Sequence, residues 1–338
     1  ITHMTPTGRQ TSVELFGDDV ERAYLPYDVP GAAQRFLRHF RPQLGMIMET
    51  ELWPNTIAAC CAAGLPLLLL NARLSERSAG RYARWPRLTG EALAGLAAVA
   101  AVGSEDADRL RALGAREVEV FGNLKFDIAP PSAQLELGAD FRRRRGERRM
   151  VLCASTRDGE EELILAAWRA AAPPGVLLAI VPRHPQRFDV VADLVAAKGY
   201  RVARRSQDSD IAPETDVWIG DSMGEMFAYY AAADVAFVGG SLLEFGSQNL
   251  IEPCSIGTPV LIGPSIFNFR DAAKQAVACG AALAIRNAEE LVAAAKALLG
   301  DDARRRTMGE TGCAFAAAHR GATARNLALV ERFIPAAR

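Results

Sequence analysis

Residues 234–253 read "DVAFVGGSLLEFGSQNLIEP", and the order of the parts within this stretch decides the fold. An apolar run, "VAFV", stops at paired glycines; a third glycine, two amides and a Glu-Pro pair follow. A short, uninterrupted apolar run suits a parallel strand covered on both faces, and a glycine-rich turn marks its carboxyl end. In open parallel sheets, ligands bind beyond that end. Gly239 and Gly240 would let an anion approach the backbone, and the first amides of a following helix carry partial positive charge. Gln248 and Asn249 stand where "QNLIEPCSIG" starts as a helix, and Glu252, about one turn in, has a carboxylate able to accept from two vicinal ribose hydroxyls. A turn shaped by packing alone is written the same way.

The rhythm extends in both directions. Upstream runs "LGMIM" (44–48), "PLLLL" (66–70), "LAAVAAVG" (96–103) and "VEVFG" (118–122) alternate with amphipathic stretches. From residue 150 "MVLCAS", "VLLAIVP", "VWIG", "VAFVGG", "PVLIG" and "ALAIRN" do the same. The fold class is therefore α/β, with two Rossmann-like halves facing across a cleft. Between them, "DIAPPSAQLELGADFRRRRGERR" breaks the periodicity with adjacent prolines and an arginine run, as an interdomain connection leading into a solvated helix does. The expected bounds are 1–127 for the first domain, 128–149 for the linker and 150–320 for the second domain. A last helix, 321–338, is expected to pack back towards the first. "AEELVAAAKALL" from Ala288 has Asn287 as its cap and Gly300 as its stop.

With 338 residues, the chain has room for two domains of about 150 residues. Its 39 basic residues against 40 acidic ones exclude a bulk nucleic-acid partner, so any charge-driven recognition is local. The six cysteines include no C-x-x-C pair and read as buried free thiols, and the four histidines lack the i, i+4 spacing of a helical metal pair. No apolar run reaches the roughly 18 residues of a membrane span. The opening "ITHMTPTG" reads as a strand end running into a turn, so the natural protein is expected to begin before Ile1.

Other strand ends repeat the theme of the opening stretch. "CASTRDGEE" delivers Ser155, Thr156 and Arg157; "IVPRHPQRF" delivers Arg183 and His184; together they would make an anion pocket at one sheet edge. In "IGDSMGEM", Gly224 and Glu225 precede a helix, where backbone groups could read a base edge or Ser222 and Glu225 could form a capping box. Neither a P-loop nor a G-x-G-x-x-G fingerprint is present. In the first half, Glu49 and Glu51 lie at alternate positions of "ETELWPN" and would point to one side of an extended chain. Glu51 could instead cap the helix after Pro54. Arg73, Arg77, Arg81 and Arg84 fall within an arc of about 80° if helical, a basic stripe suited to a negative partner or to solvent. Lys125 follows the last strand of this half.

Seven stretches in order, "ETELWPN", "NARLSERS", "FGNLKFD", "ASTRDGEE", "VPRHPQRF", "GDSMGEM" and "GGSLLEFGSQNLIEP", resemble those of the bacterial Kdo transferases, the 3-deoxy-D-manno-octulosonic acid transferases of lipopolysaccharide synthesis. The resemblance runs along essentially the whole chain. It implies a GT-B glycosyltransferase that moves Kdo from CMP-Kdo to a lipid A precursor by an inverting displacement, with no metal and no cofactor. The working place implied is the cytoplasmic face of the bacterial inner membrane. By the same resemblance, Ser155, Thr156, Arg183, His184, Gly224, Glu225, Met226, Gly239, Gly240, Ser241, Gln248, Asn249 and Glu252 surround the donor, with Glu252 on the ribose. Glu49, Glu51, Arg73 and Lys125 serve the acceptor, Glu49 also as an assisting carboxylate. The family pattern departs at "FGSQN", where Ser247 replaces a glycine. It also places a membrane-proximal segment and the general-base glutamate upstream of Ile1, so that base is expected to be outside this chain. The alternatives are another GT-B enzyme, such as a sugar-nucleotide epimerase or a different glycosyltransferase, and a donor-binding fragment without turnover.

Overall fold

A computed structural model describes residues 1–127, 129–207 and 210–334. It falls into two compact units, one formed by Ile1–Leu124 with the chain from Gly321 onward, the other by Lys125–Arg320. In the first unit, two short strands, β1 (Thr2–His3) and β2 (Ala23–Tyr24), pair in parallel. Four more, β3 (Gly45–Met48), β4 (Leu67–Ala72), β5 (Ala98–Ala101) and β6 (Val118–Val120), form a parallel sheet in chain order.

The four leucines of β4 show why the sheet is covered twice. Successive side chains of a strand point to opposite faces. Leu67 and Leu69 pack with Ile57, Leu93 and Leu110 from helices on one side; Leu68 and Leu70 pack with Ala98, Ala100 and Leu329 on the other. Leu329 belongs to the helix Ala322–Glu331, which Arg325 fastens to the carbonyl of Phe121 (2.7 Å) and Arg332 to Glu119 (2.5 Å).

Among the described residues, the second unit has seven strands, all parallel: β7 (Met150–Thr156), β8 (Leu177–Pro182), β9 (Val202–Arg204), β10 (Val217–Ile219), β11 (Val235–Val238), β12 (Val260–Ile262) and β13 (Ala282–Ala284). Their order is β13-β12-β11-β7-β8-β10-β9. The chain leaves β7 towards β8 on one side, while β11 leads on to β12 and β13 on the other. The topological switch point therefore lies between β7 and β11, and the rule for open α/β sheets puts the ligand crevice beyond their carboxyl ends. The "VAFVGG" stretch supplies one of those two ends.

Segment 128–149 differs from the connection expected of it, Ile128 lying outside the described residues. Ser132–Arg144 is a helix of the second unit. Its Phe141 is fully buried, its ring 5.0 Å from that of Trp218 and 5.1 Å from that of Tyr229. The arginine run occupies the last turn of this helix rather than its start, where positive charge complements the helix dipole. The cysteines also depart from expectation: Cys60, Cys153 and Cys254 are buried, but Cys61, Cys279 and Cys313 are exposed.

Just after that run, Arg145 is buried against Asp234 (2.8 Å), and Asp234 also accepts from Arg149 (3.0 Å) and from the backbone N–H of Met150 (2.8 Å). Burial lowers the pKa of Arg145, against the pull of Asp234. Asp234→Ala strips the counter-charge from a buried guanidinium and leaves β7 without its first anchor. We expect a loss of about 3 kcal/mol in the unfolding transition of the second unit, measured by urea denaturation followed by tryptophan fluorescence.

Candidate functional site

The loop after β11 and the loop after β7 approach so closely that side chains are excluded between them. A Cβ on Gly239 would lie 2.6 Å from the carbonyl oxygen of Ser155 and 2.7 Å from that of Ala154, distances that real Cβ atoms do not reach. Left-handed backbone clusters here: Ser155 has φ 55°, Gly240 φ 69°, Gly246 φ 83° and Ser247 φ 70°. Such conformations persist only where surrounding contacts hold them.

Gly246 is held by the Ser265 hydroxyl and Ser247 by the Gly240 carbonyl, and Gly240 by Glu160, a residue that the motifs present only as the start of a helix. It is fully buried. Its carboxylate accepts from the backbone N–H of Gly240 (2.7 Å), Leu242 (2.9 Å) and Arg157 (2.8 Å). Burial raises its pKa, these three donors oppose the shift, and neighbouring Glu161 adds to it. The amide of Gly240, one of the glycines expected from sequence to let an anion approach the backbone, is thus occupied by an internal carboxylate, as is that of Leu242. The helix after the loop also differs from expectation. It spans only Ile251–Ser255, and the N–H groups of Ser247 and Gln248 before it donate to the carbonyls of Gly240 (2.7 Å) and Gly239 (3.0 Å).

Two of the expected hydroxyls are used the same way. The Thr156 hydroxyl donates to Glu161 (2.6 Å), which also holds Arg187 through both oxygens (2.7 and 2.9 Å). The Ser241 hydroxyl donates to the carbonyl of Val238 (2.5 Å) and accepts from the N–H of Gly263 (2.9 Å). Both residues are fully buried, so they shape the floor of the crevice and do not present hydroxyls to it.

The groups that do gather above this floor are Arg157, Arg183, His184, Gln248, Asn249 and Glu252, none of them fully buried. Arg183 donates to Gln248 (3.2 Å), Asn249 donates to Glu252 (3.1 Å), and the Arg157 guanidinium lies 4.5 Å from the centre of the Phe245 ring. Partial burial and the charges of Arg157, Arg183 and Arg187 lower the pKa of His184. Burial raises the pKa of Glu252, while Asn249 and Arg183 pull it down. Basic groups and one carboxylate at a switch point are complementary to a ligand with an anionic part and a pair of hydroxyls. Glu225 is differently engaged. Arg205 binds both its oxygens (3.0 Å each) and Ser222 donates to it (2.6 Å), so the pair is not a capping box. The helix begins at Met226, next to Glu225, and Gly224 is exposed with φ 77°.

In the first unit, Glu49 and Arg73 follow β3 and β4, whose ends are in register at Met48 and Leu70. Glu49 has φ 62°, so the backbone is not extended there and Glu49 and Glu51 do not share a face in the way alternation implies. Nor does Glu51 cap the helix Pro54–Ala62; it accepts from the Trp53 indole (3.1 Å). The cap is Asp28, which accepts from the N–H groups of Asn55 (3.0 Å) and Thr56 (2.8 Å). The expected arginine stripe is broken as well. Only Arg77 and Arg81 lie on the helix Glu76–Tyr82; Arg73 precedes its Ser75 cap and Arg84 follows it. Lys125 belongs to the second unit, its ammonium 5.5 Å from the centre of the Phe269 ring.

Comparison with known proteins bears on the family and the fold. Residues 1–128 match the family described as 3-deoxy-D-manno-octulosonic-acid transferase (kdotransferase), and residues 181–314 match glycosyl transferases group 1. A 3-deoxy-D-manno-octulosonic acid transferase of Bordetella pertussis is 46% identical, over 99% of this chain and 80% of that protein. Among solved structures, the C-terminal CMP-Kdo binding domain of WaaA from Acinetobacter baumannii is 30% identical with a TM-score of 0.52, covering 55% of this chain and 98% of that one. Anabaena HepE in complex with UDP has a TM-score of 0.63 at 14% identity, covering 98% of this chain and 90% of that one, a likeness of fold alone.

The two glycines at the crevice should respond differently to a methyl group. Gly239→Ala must push β7 and β11 apart at the switch point and is expected to cost about 1–3 kcal/mol together with ligand affinity. Gly224→Ala meets open space and should cost only about 1 kcal/mol, from its left-handed backbone. Melting temperatures of the two variants check this; equal small losses would show that the close approach does not constrain the loops.

Proposed function

This chain belongs to the 3-deoxy-D-manno-octulosonic acid (Kdo) transferase family and is a Kdo-transferring glycosyltransferase of the GT-B fold; we propose that its donor is CMP-Kdo, held by the second unit, and its acceptor a lipid A precursor, held by the first. The observation that carries the donor reading is the half-buried Glu252 beside Asn249, Arg183 and Gln248 at the switch point. The solved CMP-Kdo binding domain, which matches more than half of this chain, supports it. In this reading, Glu252 accepts from the two ribose hydroxyls. Arg183 and Arg157 face the phosphate, with Ser155 and His184 at the same edge and the Gly224–Met226 turn towards the base. Thr156, Gly239, Gly240 and Ser241 build the floor.

Transfer is an inverting displacement. A hydroxyl of the acceptor gives its proton to the general-base carboxylate that the family resemblance implies and attacks the anomeric carbon of Kdo, and the bond to the CMP phosphate breaks. Negative charge grows on that phosphate as it leaves, and guanidinium groups already in place lower the barrier without reorganising. On the acceptor side, Glu49 and Arg73 stand at the carboxyl edge of the first unit's sheet. In this reading, Glu49 accepts from a sugar hydroxyl and Arg73 pairs with a phosphate of the acceptor, with Glu51 as a further contact. Exposed Trp85 (69%) and Leu88 (52%) beside Arg84 and Arg87 offer apolar and basic groups to an anionic membrane surface. The surface we assign is the cytoplasmic face of the inner membrane. Among the described residues, no helix is long and apolar enough to cross a membrane.

Glu252→Ala is expected to weaken CMP binding by about 10- to 100-fold, the loss of two hydrogen bonds to a charged acceptor, as read by calorimetry; unchanged affinity would remove the residue from the donor site. The pH dependence has a definite sign. Because burial raises its pKa, Glu252 takes up a proton at a higher pH than an exposed carboxyl, and CMP affinity should fall on mild acidification. Folding stability runs the other way, since the native state binds the proton more tightly and loses stability as pH rises through that window. Arg183→Gln removes an opposing charge and should move the fall in affinity to higher pH. On the acceptor side, Arg73→Gln should raise the KM for a lipid A precursor about tenfold and leave the donor KM unchanged. Initial rates with each substrate varied in turn separate the two.

A further inference from the structure

The Glu160 carboxylate and the donor groups proposed above are joined by a continuous run of hydrogen bonds. It begins at the first turn of the helix Glu160–Ala171, where the carboxylate binds Gly240 and Leu242 on the β11 loop and Arg157 on the β7 loop. The carbonyls of Gly239 and Gly240 pass the constraint on by accepting from Gln248 and Ser247. Gln248 then accepts from Arg183, and next to it Asn249 reaches Glu252. Glu160 is buried too deeply to touch a ligand itself. Its partners among the described residues are three backbone N–H groups, and the neighbouring carboxylate, Glu161, is already held by Arg187 and Thr156. The contact of Glu160 with Leu242 spans 82 residues of the chain and ties the start of this helix to the β11 loop.

We propose that Glu160 is a positioning residue for donor binding: as an internal anion seated in the glycine-rich turn, it fixes the two switch-point loops so that Arg157, Arg183, Gln248, Asn249 and Glu252 stand in one arrangement. The assignment rests on reading this crevice as the donor site. It explains why the turn holds glycines without receiving a phosphate on its own amides: Gly239 admits the neighbouring strand end, and the N–H of Gly240 faces a carboxylate from within the protein. It also makes the geometry of the ribose and phosphate contacts depend on a group that no ligand reaches.

Glu160→Gln keeps the shape of the side chain but turns an NH2 towards at least one of the three backbone donors. Glu160→Asp keeps the charge but is shorter by one methylene and cannot reach Gly240 and Leu242 together. Calorimetry with CMP and steady-state kinetics on the full chain should show CMP binding about tenfold weaker in both variants, the cost of one unpaired buried donor. The donor KM should rise by a similar factor and the acceptor KM stay where it is. A residue needed only for stability would instead lower the active fraction and leave both KM values alone. If Glu160→Gln does not fold, Glu160→Asp decides the matter alone. Glu252→Ala, measured alongside, separates the two levels of the argument. Unchanged CMP affinity in the Glu160 variants with a loss in Glu252→Ala overturns the positioning role and spares the donor site. No loss in Glu252→Ala overturns the donor site itself.

Discussion

A carboxylate taken out of water and held by backbone amides is the interaction on which the second unit's ligand crevice depends. Burying such a charge is costly unless its hydrogen bonds are complete, and Glu160 meets that condition with donors from two loops whose strands diverge in the topology. Because the charge demands all three donors, the loops have little freedom to drift. Gly240, which gives one of those donors, has a left-handed backbone, φ 69°.

The same device recurs elsewhere in both units. Asp28 takes the first amides of the helix Pro54–Ala62, which follows the loop bearing Glu49 and Glu51. Asp106 takes the N–H of Leu74, next to Arg73 (2.7 Å). Asp234 takes the N–H of Met150 where β7 begins. In each case a carboxylate from a distant part of the chain satisfies a backbone donor that would otherwise be orphaned. Basic and amide side chains are thereby left to face outward at the carboxyl edges of the two sheets.

The strands were legible because each leaves a short apolar run, and ten such runs are strands in the structure; in most of them burial on both faces removes the alternation, but Met46 and Met48 of β3 and Glu119 and Val120 of β6 are exposed. Two escaped. β2 is only two residues long, and β9 is a Val-Ala pair set among Arg201, Arg204 and Arg205 at the edge of the sheet, where charged residues protect an exposed strand and erase its apolar signature. The helix at Ser132–Arg144 was hidden by the prolines before it and by a run of arginines that looked solvated; a single aromatic, Phe141, anchors it. Of the site, the ordered motifs identified the family and the loops concerned. Local spacing did not record that the Thr156 and Ser241 hydroxyls and the Gly240 amide have partners within the protein, or that Arg73 and Arg84 lie off the helix of Arg77 and Arg81.

By itself, the sequence determined the α/β class, the rhythm of the strands, the motifs of a Kdo transferase and the cap of the helix at Ala288, where the Asn287 side chain accepts from Glu290 (2.9 Å). These are properties of residues within a few positions of one another, and periodicity or spacing records them. Only the tertiary structure decided which polar groups face the crevice and which are consumed in building it. The partners lie far apart in the chain: 27 residues for Asp28 and Asn55, 32 for Asp106 and Leu74, 80 for Glu160 and Gly240, 84 for Asp234 and Met150. A glutamate beginning a helix is written alike whether it faces water or a buried turn, and the sheet order that brings β7 beside β11 makes the difference.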